Sequence, residues 1–236
     1  MKPIKIENKI NNFSQKINVD ADKSISIRWT LFASQAIGKS TAYNLLMSED
    51  VLCAIKCLKK LGIKVNLSRN KCEIFGNGVN GFKYKKNIIL NAGNSGTLAR
   101  LISGILATQS FDSSLTGDES LIKRPMKRVI DPLITVGAKI ASDKCKLPLS
   151  FVKSSMQPIN HVSSIASAQV KSCLLLAALF IDGESQISEN VKTRDHTERM
   201  LEYLNYPISI NNNIISITGK KVITAKDITI PSDISS

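Results

Sequence analysis

The chain repeats itself three times with a period of about 71 residues, and this repetition limits the folds that it can adopt. Each unit opens with a small residue that is followed four places later by a cation. An apolar helical stretch, a short extended segment and a second helical stretch then follow. Nearly equal spacings indicate three copies of one supersecondary unit packed into one domain. The openings run from Ser24 to Arg28, from Gly96 to Arg100 and from Ser167 to Lys171.

The patterns within each unit predict a strand, a helix, a strand, a second helix and two further strands. The second helical stretches end at Gly62, Gly137 and Asn205, residue types that suit a left-handed C-terminal turn. The predicted fold class is therefore α/β, with helices inside and sheets outside or the reverse. Three βαβαββ-like units are expected at about 16–80, 88–153 and 160–220.

The composition is that of a folded protein without a membrane span. Hydrophobic residues make up 43% of the 236 residues, enough for a full core. The N-terminal segment lacks the apolar centre of a signal peptide. The longest apolar run, 173–181, is less than half of the roughly 20 residues that cross a bilayer. We expect a soluble, cytoplasmic protein.

The cysteines and histidines give no metal-binding pattern. The five cysteines form no CxxC pair, and the two histidines, His161 and His196, lie far from most of them. Cys53 and Cys57 are four residues apart on a predicted helix, but structural zinc usually needs four ligands. We expect reduced thiols and no metal site.

The formal net charge of +13 is compatible with nucleic acid, an anionic membrane or small acidic substrates as partners. Lysines are scattered along the chain, whereas six of the seven arginines fall within the repeated motifs. Arginine binds phosphate and carboxylate through two parallel hydrogen bonds, which favours small acidic substrates. Aromatic residues make up only 5%, which argues against a stacking surface for nucleic acid. We expect neither nucleic acid nor membrane as a partner.

The repeat places small residues at the starts of three helices. The first turn of a helix has unpaired backbone N–H groups and the positive end of the dipole, so it attracts anions. If the symmetry brings the helix starts at Ser24, Gly96 and Ser167 together, the cations four residues after each of them form one cationic floor, a surface on which an anion can bind. The alternative for either serine taken alone is that it only caps its helix and binds no anion.

The middle and third units each carry a basic cluster before their second helix. Pro125 is predicted at the first position of its helix, which leaves Arg124 on a loop where it can point into a cleft. Arg194 is the counterpart in the third unit. Glu198 and Arg199 are predicted on the helix surface.

Five segments, in order, are similar to the signatures of the 3-phosphoshikimate 1-carboxyvinyltransferase family, the enolpyruvylshikimate phosphate synthases. The resemblance spans nearly the whole chain and implies one domain of an inside-out α/β barrel. Ile27 stands where the family usually has His or Asn, and Ala21 where Gly is usual. The segments are DKSISIR at 22–28, NAGNSGTLAR at 91–100, KRPMKRV at 123–129, SAQVKS at 167–172 and TRDHTERML at 193–201.

The resemblance implies transfer of the enolpyruvyl group of phosphoenolpyruvate to the 5-hydroxyl of shikimate 3-phosphate, with release of phosphate. It implies no metal or organic cofactor, two small-molecule substrates and a monomer at full length. One alternative is the related transferase that acts on UDP-N-acetylglucosamine. That family has Lys-Asn in place of Lys23-Ser24 and lacks the arginine at position 28. The other alternative is a basic binding module without catalysis.

The resemblance also assigns roles to individual residues. Lys23 and Arg124 would be catalytic, and Lys23 would contact both substrates. The residues implied in shikimate 3-phosphate binding are Lys23, Ser24, Arg28, Ser167, Ala168, Gln169 and Arg194. Those implied in phosphoenolpyruvate binding are Lys23, Gly96, Arg124 and Gln169.

The end of the chain, 230–236, resembles the segment through which the family enters its second domain. We therefore expect residues 1–15 to be a strand segment of that other domain, 16–225 to form the shikimate-3-phosphate-binding domain, and 226–236 to be a crossover. The missing part would carry the acidic residues that handle protons. The fragment is expected to bind substrate and to be incomplete for catalysis.

Overall fold

The computed structural model describes residues 12, 14, 17–69, 71–84 and 87–235. The predicted N-terminal strand segment, 1–15, lies almost wholly outside the described residues. Within them, the second and third units follow the predicted order of helices and strands. The prediction is wrong for the start of the first unit, which begins with a helix, because strands from the end of the chain take the place of its first strand.

The first unit contains α1 (Lys23–Gln35), β1 (Ala36–Tyr43), α2 (Glu49–Lys60), β2 (Lys64–Leu67) and β3 (Lys71–Asn77). The second contains β4 (Ile88–Asn91), α3 (Gly96–Ala107), β5 (Ser113–Thr116), a 3₁₀ turn (Leu121–Lys123), α4 (Lys127–Thr135), β6 (Lys139–Ala141) and β7 (Leu149–Val152). The third contains β8 (Asn160–Ser163), α5 (Ala168–Ala178), β9 (Glu184–Glu189), α6 (His196–Tyr203), β10 (Ile208–Asn211) and β11 (Ile214–Thr218). Two short strands follow, β12 (Ile223–Thr224) and β13 (Ile228–Thr229).

Each unit builds one sheet on the outside of the domain. The second and third sheets have the equivalent orders β4-β5-β7-β6 and β8-β9-β11-β10, in which only the first two strands are parallel. The predicted βαβαββ order is thus confirmed in both units, including the final strand pair.

The first sheet is completed from the far end of the chain. Strands β12 and β13 pair in parallel with β1, in the place that β4 and β8 take in the other sheets. They cover the open hydrogen-bonding edge of β1. Ile230, just after β13, is fully buried, so the packed part of this domain extends beyond the predicted boundary at residue 225.

The first helices of the three units, α1, α3 and α5, form the interior of the domain. Nearly every residue of α3 is buried, as are most of those in α1 and α5. At Gly104 of α3, an added Cβ would lie 2.0 Å from the carbonyl oxygen of Cys173 on α5. The two helices therefore touch backbone to backbone, which requires glycine at this position. Helices inside and sheets outside confirm the inside-out arrangement.

The predicted helix ends are confirmed, but one predicted helix start is wrong. Gly62, Gly137 and Asn205 have φ values of +80°, +105° and +55°, and each follows a second helix. Pro125 does not begin α4, which starts at Lys127. The cause is the 3₁₀ turn before it, after which Arg124 adopts an extended conformation.

The two departures from the family pattern lie away from solvent. Ile27 is fully buried in the core. Ala21 is 3% exposed and forms a bridge with Ser232. Among the helices of the described ranges, none has both the length and the apolar character needed to cross a membrane.

We predict that Gly104→Ala lowers the free energy of unfolding by about 2–3 kcal/mol, because overpacking a tight helix contact costs this order of energy. Urea unfolding monitored by circular dichroism measures the change. The adjacent Ser103→Ala is the control, because the Ser103 hydroxyl bonds only within its own helix, to Ala99. Its effect should be about 1 kcal/mol or less. Equal stability of Gly104→Ala and the parent chain would contradict the close packing of α3 and α5.

Candidate active site

Gln169 joins the first turns of two buried helices. Its Nε2 donates to Thr97 Oγ1 at 3.1 Å, and its Oε1 accepts from Arg100 Nη1 at 3.0 Å. Thr97 and Gln169 are the second residues of α3 and α5. The Ser95 and Ser167 hydroxyls cap these helices by accepting an amide hydrogen from the first turn. The N-termini of α3 and α5 therefore lie side by side, as the repeat predicted.

Arg28 connects the third buried helix, α1, to this pair. Its Nε donates to Thr197 Oγ1 at 2.8 Å on α6, and its Nη2 donates to Ser172 Oγ at 2.9 Å on α5. Its Nη1 donates to the backbone oxygen of Ser24 at 3.1 Å. The guanidinium thus links three helices and holds the first turn of α1.

The serines at the helix openings differ in role. Asp22 caps α1, because its carboxylate accepts the amide hydrogen of Ile25 at 2.6 Å. Ser24 therefore lies inside the first turn and is not an N-cap, whereas Ser167 is one. Lys23, the first residue of α1, has its Nζ 3.6 Å from the Asp50 carboxylate.

Two arginines flank the first residue of α3. A Cβ added at Gly96 would lie 2.9 Å from Arg100 Nη1 and 3.4 Å from Arg124 Nη1. Arg124 is held in place by donating to Asn94 Oδ1 and to Ser120 Oγ. Glycine therefore leaves the start of α3 open between two cationic groups.

The arginines around Gly96 repel one another. Burial lowers the pKa of Arg100 most, and the nearby charges of Arg128 and Arg124 lower it further. An anion bound among these groups would relieve the repulsion, since opposite charges attract strongly where water is partly excluded. This cluster, Arg100, Arg124 and Arg128, is the first cationic cluster.

Arg28 and Arg194 form the second cationic cluster. Burial lowers the pKa of Arg28 to about 10, while Glu198 and Asp22 oppose this shift and Arg194 adds to it. A pKa of about 10 leaves the guanidinium charged at neutral pH. Arg194 is exposed on the loop before α6. Burial, and then the charge of Arg28, also lowers the pKa of His196.

Lys171 does not join the predicted cationic floor. Its ammonium is buried, and Nζ lies 2.6 Å from a carboxylate oxygen of Glu189 and 2.6 Å from one of Glu198. A buried ammonium requires paired carboxylates, which explains why this side chain turns inward. The floor therefore contains Arg28 and Arg100 of the three predicted cations.

The prediction that Glu198 lies on the helix surface is also wrong, because its exposed fraction is 3%. Burial is the largest cause of the raised pKa of Glu198. The sequence held a signal for this, since Glu198 lies three residues before the buried Leu201 on one helix face. Arg199 is exposed, as predicted, and pairs with Asp195 at 2.8 Å.

Sequence reasoning missed four polar residues that hold side chains of the site, and three of the four bind an arginine. Asn94 binds Arg124, Thr97 binds Gln169, and both lie within the segment NAGNSGTLAR. Ser172 and Thr197 bind Arg28 from within two other motifs. Their motif positions were the only signal, because contacts between distant segments depend on the fold. Over the described ranges, no group of three His, Cys, Asp or Glu side chains could hold a metal ion.

Known proteins resemble this chain in both sequence and structure. A family model for EPSP synthase (3-phosphoshikimate 1-carboxyvinyltransferase) matches residues 7–236. The 3-phosphoshikimate 1-carboxyvinyltransferase of Vesicomyosocius okutanii is 47% identical over 232 residues, which cover 98% of this chain and 53% of that protein. The corresponding protein of Bacillus subtilis is 42% identical over 230 residues, covering 97% and 54%.

The solved structure of EPSP synthase from Acinetobacter baumannii superposes with a TM-score of 0.88 at 39% identity. The match covers 94% of this chain and 50% of that one. The chain spans about half the length of the curated relatives that it matches. Because one family model covers nearly the whole sequence, the chain belongs to the EPSP synthase (3-phosphoshikimate 1-carboxyvinyltransferase) family.

Proposed function

We propose that this chain is the shikimate-3-phosphate-binding half of an enzyme that transfers the enolpyruvyl group of phosphoenolpyruvate to the 5-hydroxyl of shikimate 3-phosphate, releasing phosphate. The observation that carries this proposal is the pair of cationic clusters at the joined N-termini of α1, α3 and α5. Each substrate has a phosphate and a carboxylate, so two adjacent cationic clusters suit the pair. Gln169 contacts Arg100 of the first cluster, and it lies on α5, the helix whose Ser172 binds Arg28 of the second cluster.

Shikimate 3-phosphate would bind at the start of α5 and beside the second cationic cluster. Ser167, Ala168 and Gln169 offer a hydroxyl, first-turn N–H groups and an amide to an anionic group. Arg28 has N–H groups left over after its three hydrogen bonds within the protein. Ser24 and Arg194 would complete this site, with Lys23 at its edge near the second substrate.

Phosphoenolpyruvate would bind against the first residue of α3. Gly96 has no side chain, so an anionic oxygen can approach the helix N-terminus closely. Arg124 presents a planar guanidinium beside it, 3.4 Å from the position where a Cβ would stand. Gln169 and Lys23 would contact both substrates and set their relative orientation, which can supply much of the rate.

The reaction by addition and elimination needs several proton transfers. A proton leaves the 5-hydroxyl, another is added to the methylene carbon of phosphoenolpyruvate, and a methyl proton is lost again on elimination. Lys23 is the best-placed group of this chain, and one ammonium cannot readily fill every role. We propose that the second half of the protein supplies the acidic groups and excludes water, which strengthens the charge interactions. No metal or organic cofactor takes part in this proposal.

We also propose that the protein acts in the cytoplasm and that the complete protein is a monomer. All five cysteines are unpaired thiols, which is typical of a reducing compartment. Strands β12 and β13 of the same chain cover the edge of β1, the edge through which a second copy could otherwise pair. The segment 1–15 and the residues that follow Ile230 would connect this domain to the other half.

The isolated chain should bind shikimate 3-phosphate with a salt-sensitive affinity, and Ser167→Ala combined with Arg28→Ala should abolish measurable binding. The pair removes a hydroxyl donor and a charged donor, and a hydrogen bond to a charged group contributes about 1.5–3 kcal/mol. Isothermal titration calorimetry at two salt concentrations measures the loss. Arg199→Ala is the matched control, because it removes an arginine that is exposed and pairs with Asp195. Unchanged affinity in a folded double variant would refute these binding residues.

The chain alone should release phosphate from the two substrates only at the background rate, because Lys23 is the best-placed proton-transfer group that it contributes. Activity should appear when the second half is supplied as part of the same chain or as a separate one. A continuous phosphate assay measures both. Turnover by the 236-residue chain that is abolished by Lys23→Ala would show that the acid and base groups have been misplaced.

A further inference from the structure

A buried ion cluster lies behind the second cationic cluster. Lys171 of α5, Glu189 of β9 and Glu198 of α6 are 1%, 6% and 3% exposed. The Lys171 ammonium lies 2.6 Å from each carboxylate. Removing one partner from such a cluster would leave an uncompensated buried charge, which is strongly destabilising.

Glu189 extends the cluster to the loop that carries Arg194. One oxygen of its carboxylate accepts a hydrogen bond from the Thr193 hydroxyl, and the other accepts from the Thr193 backbone N–H at 3.4 Å as well as from Lys171. Glu189 therefore binds the loop between β9 and α6 through both the side chain and the backbone of Thr193. Arg194 is the next residue along the chain.

The usual means of fixing a helix start is not used at α6 in the described structure. Asp195 occupies the N-cap position but makes no side-chain capping bond, and its carboxylate pairs with the exposed Arg199 instead. The contact between Glu189 and Thr193 therefore holds the loop one residue before Arg194.

The residues next to the ion cluster hold the other arginine of the site. Ser172 follows Lys171 on α5, and Thr197 precedes Glu198 on α6; their hydroxyls lie 2.6 Å apart. Both hydroxyls accept hydrogen bonds from Arg28. The two helices that hold Arg28, α5 and α6, therefore also supply Lys171 and Glu198 to the ion cluster. The third member of the cluster, Glu189 of β9, binds Thr193.

We propose that Glu189 is a positioning residue for substrate binding: bound to Lys171, it fixes Thr193 and thereby the loop backbone from which Arg194 extends towards the substrate. This inference rests on the proposed function, in which both arginines bind shikimate 3-phosphate. Glu189 acts through Arg194 and does not contact the substrate.

The physical reason is repulsion between like charges. The charge of Arg194 acts on buried Arg28, so an unrestrained Arg194, being exposed, would turn towards solvent. The substrate would then have to order the loop as it binds, and ordering flexible groups weakens affinity. The buried cluster removes this cost by fixing the loop beforehand.

A double-mutant cycle tests the proposal. Calorimetry gives the affinity for shikimate 3-phosphate of the parent chain, Thr193→Val, Arg194→Ala and the variant with both changes. Thr193→Val keeps the size of the side chain and removes its hydroxyl, and should weaken binding about tenfold, the equivalent of one hydrogen bond to a charged group. In the Arg194→Ala background, Thr193→Val should weaken binding no further, because its effect passes through the missing guanidinium.

Matched variants separate positioning from general loss of structure. Thr193→Ser keeps the hydroxyl and should retain nearly full affinity. Glu189→Gln keeps nearly the same side-chain shape. It should weaken binding where Arg194 is present and should have no further effect in the Arg194→Ala background. Thr135→Val is the control, since the Thr135 hydroxyl bonds within its own helix, to Asp131. Melting temperatures of all the variants, measured in parallel, show whether each is folded under the binding conditions.

The outcomes distinguish the two proposals. Loss of affinity on Thr193→Val that is equally large with and without Arg194, or no loss at all, would overturn the positioning role while the proposed function stands. If the folded parent chain does not bind shikimate 3-phosphate, the proposed function fails, and the inference fails with it.

Discussion

The site depends on the backbone contact between buried helices. Gly104 brings α3 against the carbonyl of Cys173 on α5 so closely that no side chain fits between them. This spacing lets the short side chain of Gln169 reach Thr97 and Arg100 across the two first turns. If the two helix starts lay farther apart, their N–H groups and positive dipole ends could not bind the same anion.

The threefold repeat is kept in the backbone and broken in the side chains. Arg28 and Arg100 occupy equivalent positions and contribute to the cationic clusters, whereas Lys171, at the third such position, is paired inside the protein. Three identical faces would suit three identical ligands. The two different substrates proposed above would require different faces. The third unit uses its cation to support the structure, while Arg194, on the loop before α6, supplies positive charge at the surface.

Supporting polar residues give the arginines their fixed directions. Arg28 donates to Thr197 and Ser172, and Arg124 donates to Asn94 and Ser120. A guanidinium held in this way loses little conformational entropy when it binds an anion, since its rotamer is already set. In the proposed function, a bound anion would balance the mutual repulsion of neighbouring arginines, because each anionic oxygen would meet a cation that is already in place.

The sequence alone determined the period of the repeat, the order of helices and strands in the second and third units, the left-handed helix ends at Gly62, Gly137 and Asn205, and the chain segments that form the candidate site. These follow from local patterns, which neighbouring residues in the chain specify. Only the tertiary structure showed that Lys171 and Glu198 are paired in the interior and that β12 and β13 complete the first sheet. Such features join residues far apart in sequence, and whether a charge faces solvent or a partner depends on what the folded chain brings beside it.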